Sequence, residues 1–408
     1  MINPGKMILA GWACLALAAL GGASPATAAP PYQVSGQCAG FPRVRLTTRP
    51  GTCVGLVGSR LGFPRGLAEH HGDLYITDLG SRLPGRGRVL RVRLDRPWNP
   101  NVVLSRLDRP GAIVTAADGY LYVAESSRIF RFNPDAPDPA ASVEPVLTGL
   151  PTNGLHNLPG LAIARDGGLF ASVGAASDNC EDEQGRRPRP DRLCPEELAR
   201  PPRGGILRLP PVRPRPLASN MAQVYALGIR NALALLQLPN GVLLAASNGR
   251  DDISAADPRL SDERLPHDVL LAVAPNRHYG WPYCFDLRRP SPEFPNAKCA
   301  KFAAPAMLLP PHAAPLSMFL YGGKLLPGLR GKLVIAYHGY RAAGHRIVAL
   351  GMNAKGIPTG SSVDLVSGWQ ALAHVRPQGA PVAMLELADG SILMLEDHNG
   401  TLLRLAAR

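Results

Sequence analysis

The sequence predicts an all-β protein, a six-bladed β-propeller with disulfide-tied loop insertions. Two short apolar runs, Leu161–Ala164 and Leu169–Val173, flank an Asp-Gly-Gly turn and have the pattern of a β-hairpin. The composition agrees, because 43 Gly and 42 Pro among 408 residues favour turns and short strands over long helices. The hairpin pattern occurs six times, with its turn glycine at Gly72, Gly119, Gly167, Gly241, Gly331 and Gly390. Six units spaced by 47 residues or more are longer and less regular than solenoid repeats, and they favour a propeller.

We expect three segments along the chain. Residues 1–29 have the pattern of an export signal, since a single lysine precedes an apolar stretch from Met7 to Leu20 and small residues up to Ala29 fit a cleavage site. Residues 30–60 form an N-terminal segment that leads into the propeller, and residues 61–408 form the propeller. The apolar stretch is short for a membrane span, so we expect a periplasmic or secreted mature chain without a stable span.

The cysteines predict covalent ties in an oxidising compartment. Six remain after the export signal, and an even number in an exported chain favours disulfides. The chain has no CxxC motif, which disfavours a zinc site. Insertions at 178–204 and 284–314 are expected as ordered loops over one face. The order suggests three local pairs, although six cysteines allow 15 connectivities: Cys38–Cys53, Cys180–Cys194 and Cys284–Cys299.

The chain is strongly basic, with a formal net charge of +13. The arginines are spread along the sequence and aromatic residues make up only 6%, which does not fit the basic stripe with aromatics of a nucleic-acid-binding protein. We therefore expect no nucleic-acid partner. A solvated basic surface is the favoured interpretation, and a docking face for an acidic protein is the alternative.

Polar residues follow the second strand of each predicted hairpin. In a propeller these positions meet on one face, around the channel. A ring of carboxylates and cations there is suited to an anionic cofactor and a metal ion. The polar positions after second strands are Asp78, Glu125, Asp178, the 248–252 group, His338, and Glu396 with Asp397. The cations and histidines beside first strands are Arg65, His156, Arg230 and Arg376.

At these positions the chain resembles the glucose/sorbosone dehydrogenase family, and most closely its L-sorbosone dehydrogenase-like branch. The resemblance covers roughly residues 60–405. It implies a six-bladed propeller that oxidises a sugar or sugar aldehyde with pyrroloquinoline quinone (PQQ) and Ca²⁺, and that passes electrons to an external acceptor, a cytochrome or a quinone. The motifs that carry it are Gly154-Leu155-His156-Asn157, Gly228-Ile229-Arg230-Asn231, Asn248-Gly249-Arg250-Asp251-Asp252, Tyr279-Gly280-Trp281-Pro282 and His338-Gly339-Tyr340-Arg341.

The resemblance also implies roles for single residues. His156 matches the general base of the family, and a histidine near its unperturbed pKa suits proton transfer at neutral pH. Arg230 and Asn231 match the pair that contacts the cofactor, whose carboxylates suit the two-donor fork of an arginine. The other residues expected around the cofactor are His338, Arg376 and Arg65.

The resemblance implies a calcium site in the loop after the second strand of the fourth blade. The backbone carbonyls of Gly249 and Arg250 match the family's calcium ligands, and Asp251 and Asp252 would bind directly or in support. The chain also departs from the family. The acidic residue expected after the blade-three strand falls near Ala175, with Asp178 as a candidate replacement, and His338 stands where glucose-oxidising members have a lysine.

Two other functions remain open from the sequence. A calcium-dependent propeller lactonase would use the acidic ring to polarise a lactone carbonyl without a quinone. A non-catalytic propeller would bind carbohydrate or protein, and the departures at Ala175 and His338 are compatible with it.

Overall fold

Six β-sheets form the blades of a propeller, as the sequence predicts. The computed structural model is all-β, with 43% of residues in strands and 5% in helices. The expected export signal lies outside the described residues. No helix within the described ranges has the length and apolar character needed to cross a membrane. The residues that the structure describes are 32–182, 184–186, 191–211, 216–326, 328–369 and 379–408.

The first three blades follow one another along the chain. Each has four antiparallel strands, and blades 2 and 3 add a short parallel strand at the outer edge. Blade 1 consists of Pro64–His70, Asp73–Asp78, Gly87–Arg93 and Asn101–Leu107. Blade 2 consists of Ile113–Thr115, Leu121–Ala124, Arg128–Phe132, Glu144–Thr148 and Leu217–Ala218. Blade 3 consists of Leu161–Ile163, Leu169–Val173, Gly205–Leu209, Gln223–Leu227 and Arg277–His278.

The remaining blades include strands from the N-terminal region. Blade 4 consists of Ala234–Gln237, Leu243–Ser247, His267–Val273 and Met307–Pro311. Blade 5 consists of Pro315–Leu320, Leu333–Tyr337, Arg346–Met352, Pro358–Ser367 and Thr47–Thr48. Blade 6 consists of Pro381–Glu386, Ile392–Glu396, Thr401–Ala407, Thr52–Gly58, Phe41–Val44 and Val34–Cys38. Among the described residues, a hairpin, two single-turn α-helices and three 3₁₀ turns lie outside the blades: Cys284–Phe285 with Arg289–Pro290, Pro195–Leu198, Ile253–Ala256, Pro139–Ser142, Ser219–Met221 and Cys299–Lys301.

The six turn glycines define the two faces of the propeller. All six have φ between 77° and 92°, a conformation that residues with a Cβ adopt only at a cost. Each joins the first and second strands of its blade, so these turns lie on one face, the lower face. Because the strands are antiparallel, the loops between second and third strands and the loops from blade to blade lie on the opposite face, the upper face.

The N-terminal strands close the ring. Thr52–Gly58 pairs with Thr401–Ala407, and Val54 lies opposite Leu405. Blade 6 has three C-terminal strands, and the N-terminal strand covers the edge that they would leave exposed. The described strands between Val34 and Gly58 therefore belong to the sheets of blades 5 and 6. The sequence shows no local sign of this closing strand, because its partner lies at the other end of the chain.

Three disulfides are present and match the suggested local pairs. Cys38–Cys53 ties the N-terminal strands of blade 6, while Cys180–Cys194 and Cys284–Cys299 tie the two long insertions. The two insertions contact each other, since the Cys194 amide donates to the Tyr283 hydroxyl at 3.0 Å. They are therefore held together beside blades 3 and 4.

Candidate active site

A cavity of about 300 Å³ lies on the upper face, lined by loops of successive blades. We call it the upper cavity. Three of its lining side chains are arginines, and none of the described lining residues is a carboxylate. Its electrostatic character therefore favours an anionic ligand. Its polar and charged lining residues are Arg65, Arg82, Arg109, His156, Asn157 and Asn231.

His156 presents one ring nitrogen to a backbone carbonyl. Its Nδ1 lies 2.9 Å from the carbonyl oxygen of Ala175, which can only accept a hydrogen bond. Nδ1 therefore carries the proton, and Nε2 keeps its lone pair. Burial and the nearby positive charge of Arg230 lower the pKa of His156 to about 3. The sequence-based expectation of an unperturbed pKa is therefore wrong, because the imidazolium is disfavoured in this environment.

The loop that carries His156 is fastened to the end of the second strand of blade 3. The Leu155 amide donates to the Ala176 carbonyl at 2.7 Å. Gly154 has φ of 86°, and a Cβ there would lie 2.5 Å from Ala176, so the close approach requires glycine. The buried Arg203 donates to the Asn153 carbonyl at 2.9 Å and thus clamps the same loop. These contacts fix the position of the imidazole.

The acid that the family pattern places near Ala175 has no carboxylate counterpart beside His156. Ala175 is fully buried, and its carbonyl oxygen orients the imidazole instead. Asp178, the candidate replacement, pairs with the guanidinium of Arg230. Asp178 therefore does not orient His156. The pKa of His156 is lowered by burial and by the charge of Arg230, which outweigh the opposite effects of the Ala175 hydrogen bond and of the charge of Asp251.

Arg230 is the centre of a buried polar network and is only 4% exposed. Its Nε donates to the Asp178 carbonyl at 2.9 Å, and its Nη1 donates to the Gly249 carbonyl at 2.6 Å. Its Nη2 forms the ion pair with the Asp178 carboxylate and lies 3.7 Å from Oδ2 of Asp251. Asn231 follows in the chain, anchors its backbone N–H on Ser247 Oγ at 3.2 Å and lines the upper cavity.

The predicted calcium loop is already rich in charge partners. Arg250 forms an ion pair with Glu293, and its Nε lies 3.3 Å from Oδ2 of Asp178. Oδ1 of Asp251 lies 3.3 Å from Nδ1 of His312, and that hydrogen bond lowers the pKa of Asp251. Asp252 is exposed and begins the turn Ile253–Ala256.

One oxygen of this loop has no hydrogen-bond partner. The Oδ1 atom of Asn248 is buried and unpaired within the described part of the chain. A buried amide oxygen without a donor is costly, and a cation or a water molecule would satisfy it. The Oδ1 atom of Asn248 is therefore the oxygen of this loop that is best placed to accept a cation.

His338 and Arg65 meet at Asp397. His338 Nε2 lies 3.1 Å and 3.2 Å from the two carboxylate oxygens, and Arg65 Nη1 lies 3.4 Å from Oδ2. Burial would raise the pKa of Asp397, but the hydrogen bond from His338 and the charge of Arg65 lower it. His338 is only 5% exposed and is not among the lining residues, and its link to the cavity-lining Arg65 runs through Asp397.

The structure thus divides the predicted site residues into groups. Arg65, His156 and Asn231 line the upper cavity, and Arg230 joins the 249–251 loop through Asp178. Arg376 lies outside the described residues. Sequence reasoning missed Arg82 and Arg109, although both lie in upper-face loops of blade 1. The signal for Arg82 was its position after the second strand, where Asp78 alone was considered. Arg109 follows the fourth strand, and no pattern singled it out.

Comparison with known sequences shows similarity over part of the chain. No protein-family model matches the chain. An uncharacterized protein of Borreliella burgdorferi is 27% identical over 197 residues, which are 46% of this chain and 50% of that protein. The chain thus matches about half the length of this curated relative.

Solved structures are similar over most of the chain. A carbohydrate-active enzyme of family AA12 from Trichoderma reesei, in its calcium structure, has a TM-score of 0.72 at 17% identity, covering 91% of this chain and 98% of that one. The holo PQQ domain of pyranose dehydrogenase from Coprinopsis cinerea has a TM-score of 0.69 at 18% identity, covering 90% of this chain and 99% of that one. The PQQ-bound aldose sugar dehydrogenase from Streptomyces coelicolor has a TM-score of 0.59 at 17% identity, covering 89% of this chain and 100% of that one. At these identities the likeness establishes the fold.

Proposed function

We propose that this chain is an exported PQQ-dependent dehydrogenase that oxidises a sugar or sugar aldehyde and passes the electrons to an external acceptor. The observation that carries the proposal is the upper cavity, whose described lining contains three arginines and no carboxylate beside His156, whose Nε2 is unprotonated. Propellers of the same fold that are described as PQQ-bound or as a holo PQQ domain support it. The three disulfides support a location outside the cytoplasm.

The cavity fits a tricarboxylate cofactor in its donor set. Arg65, Arg82 and Arg109 would hold the carboxylates of PQQ, and Asn231 would contribute an amide donor. When bound, the quinone accepts the two electrons of the substrate oxidation. Because an arginine fork matches a carboxylate in geometry as well as charge, these residues would also orient the cofactor.

His156 would take the proton of the substrate hydroxyl. Its Nε2 is unprotonated at neutral pH, and the Ala175 carbonyl fixes both tautomer and ring orientation. Because its pKa is lowered, His156 is a weak base, and it would accept this proton as the carbon that carries the hydroxyl is oxidised.

Calcium is the less direct part of the proposal. The buried Asn248 Oδ1 and the Gly249 carbonyl are the oxygens that would hold it. The Gly249 carbonyl already accepts a hydrogen bond from Arg230, so a calcium ion would share this oxygen with a guanidinium. Asn248 and Gly249 both line a second cavity, which Arg230 also lines, and the ion would supply Lewis acidity there.

The lactonase alternative has less support from the cavity. A lactonase of the kind considered needs carboxylates around its metal, whereas the described lining of the upper cavity offers arginines and amides. A non-catalytic function does not require the fixed orientation of the His156 ring.

The test is reconstitution of the purified apoprotein. It would be titrated with PQQ in the presence and absence of Ca²⁺, and then offered a panel of aldoses and L-sorbosone with a dye acceptor. We expect saturable PQQ binding and dye reduction with at least one of these substrates, and the panel identifies which. A protein that neither binds PQQ nor reduces the dye would refute the proposal.

A further inference from the structure

Two neighbouring upper-face loops of blade 1 form a cationic and partly apolar surface. Loops 59–63 and 79–86 are joined by a hydrogen bond from the Leu79 amide to the Phe63 carbonyl at 2.9 Å. Their exposed side chains include two large apolar ones, at 42% and 46% exposure. We call this surface the blade-1 rim, and it consists of Arg60, Phe63, Arg82, Leu83 and Arg86.

The positive charge of the blade-1 rim is not neutralised locally. The three arginines have no ion-pair partner in the part of the chain that the structure describes. The carboxylates next to them are already engaged: Asp78 is buried and pairs with Arg88 at 2.6 Å, and Asp108 pairs with Arg109 at 2.7 Å. The rim therefore projects an excess of positive charge toward solvent.

The rim adjoins the upper cavity. Arg82 belongs to both, because its side chain lines the cavity, and Leu83 is the next residue. Leu155, also a lining residue, adds a further exposed apolar side chain at 67% exposure. A partner that covers the rim would therefore also approach the mouth of the cavity.

We propose that the blade-1 rim is the docking surface for a small acidic one-electron redox protein. This inference rests on the proposed function, because only an oxidoreductase needs such a partner. Oxidation of one substrate molecule releases two electrons and two protons. Two successive encounters with a one-electron carrier would remove the electrons, and the protons would pass to solvent.

The chemistry of the rim favours a protein over a membrane. Two apolar side chains among separate arginines resemble the apolar centre and polar periphery of a transient protein interface. Unpaired arginines raise the encounter rate with an acidic partner and make that rate fall with salt. Two exposed apolar side chains offer little area for insertion into lipid.

The test compares two charge-reversal variants with equal change in net charge. Arg60→Glu/Arg86→Glu alters the rim without touching the lining of the upper cavity. Arg165→Glu/Arg330→Glu is the matched control, because both arginines are exposed beside lower-face turns. The probes are an acidic bacterial c-type cytochrome, a basic mitochondrial cytochrome c, and vesicles of anionic phospholipid.

Two measurements are made on each protein. Binding of the oxidised acidic cytochrome is followed by titration calorimetry, which needs no enzymatic activity. Reduction of the cytochrome by the PQQ-loaded protein with sugar is followed by stopped flow at several salt concentrations. We expect the rim variant to lose at least tenfold in binding and in bimolecular rate at low salt, and to keep its dye-linked activity, while the control variant stays within threefold of the wild type.

Three outcomes would overturn the inference: equal binding by both variants, preference for the basic cytochrome, or vesicle binding that the rim variant alone loses. Failure of the proposed function would look different. In that case the wild type would reduce no dye, and rim-dependent binding of the acidic cytochrome would show a docking surface for an acidic protein without an electron-transfer role.

Discussion

Nδ1 of His156 lies 2.9 Å from the carbonyl oxygen of Ala175, at the position where an acidic side chain was expected. A backbone carbonyl fixes the tautomer of an imidazole as firmly as a carboxylate does, but it carries no charge to stabilise the imidazolium. The Ala175 carbonyl therefore orients His156 as a base, and burial together with the charge of Arg230 keeps its ring neutral over the physiological pH range by lowering its pKa.

This neutrality predicts the titration of His156 in the apoprotein. Because its pKa is lowered from 6.5 to about 3, the ring should remain unprotonated as the pH falls from 8 to 5. Histidine-selective ¹⁵N labelling would show Nδ1 protonated and Nε2 bare, with the signal assigned by its loss in His156→Asn. A titration midpoint between 6 and 7 would contradict the burial argument.

Arg230 is expected to stabilise the fold and to hold down the pKa of His156. Arg230→Met removes the donors to the Gly249 carbonyl and to Asp178, and should cost about 3 kcal/mol in the free energy of unfolding. It should also raise the pKa of His156, since a positive charge is lost. Denaturant unfolding and the histidine titration measure both effects. Arg259→Met, at an exposed pair, is the control and should change stability by less than about 0.5 kcal/mol.

The Cys180–Cys194 disulfide is expected to affect the site as well as stability. The helix Pro195–Leu198 follows it, and Glu196 in that helix accepts a hydrogen bond from the Ser177 amide at 3.1 Å, close to the carbonyl that orients His156. Replacing both cysteines by Ala should cost about 3 kcal/mol and reduce dye-linked activity.

The Cys38–Cys53 disulfide provides the control, because it encloses a loop of similar length in blade 6. Its removal should lower stability by a comparable amount while leaving the activity of the folded protein unchanged. Equal loss of activity in both variants would show that the effect comes from stability alone.

Calcium binding is expected to depend on Asn248. If its buried Oδ1 is a ligand, calcium at 100 times its dissociation constant should stabilise the protein by about 2.7 kcal/mol. Asn248→Ala should remove most of this gain, and Asn240→Ala, on the lower face, should keep it. Thermal unfolding of chelator-treated protein with and without Ca²⁺ is the measurement. A wild type that calcium does not stabilise would argue against an ion in this loop.

The fold was predictable from the sequence because its signal is local and repeated. Each turn glycine adopts the positive φ that its hairpin requires, so the six turns could be counted. Closure by Thr52–Gly58 was not visible, because the pairing joins the two ends of the chain and leaves no local pattern. The order of the cysteines indicated their pairing for a similar reason, because each of the three disulfides closes a short loop.

The site was predictable in its members but not in its contacts. His156 and Asn231 were found through their motifs, and both line the upper cavity. Sequence could not show that Asp178 turns toward Arg230 rather than His156, because the choice depends on packing of the Cys180–Cys194 insertion. Arg82 was missed because an exposed arginine in a loop has the same local pattern whether or not a cavity lies beside it.

The central claim is that the upper cavity is a quinone site in which His156 takes the substrate proton. The most direct measurement is dye-linked sugar oxidation by wild type and His156→Asn at equal PQQ loading. The asparagine side-chain amide can still donate to the Ala175 carbonyl, but it lacks the basic Nε2. We predict a loss of about 10²- to 10⁴-fold in kcat with unchanged PQQ affinity. Activity within tenfold of the wild type, or a wild type that oxidises no sugar when loaded with PQQ, would contradict the claim.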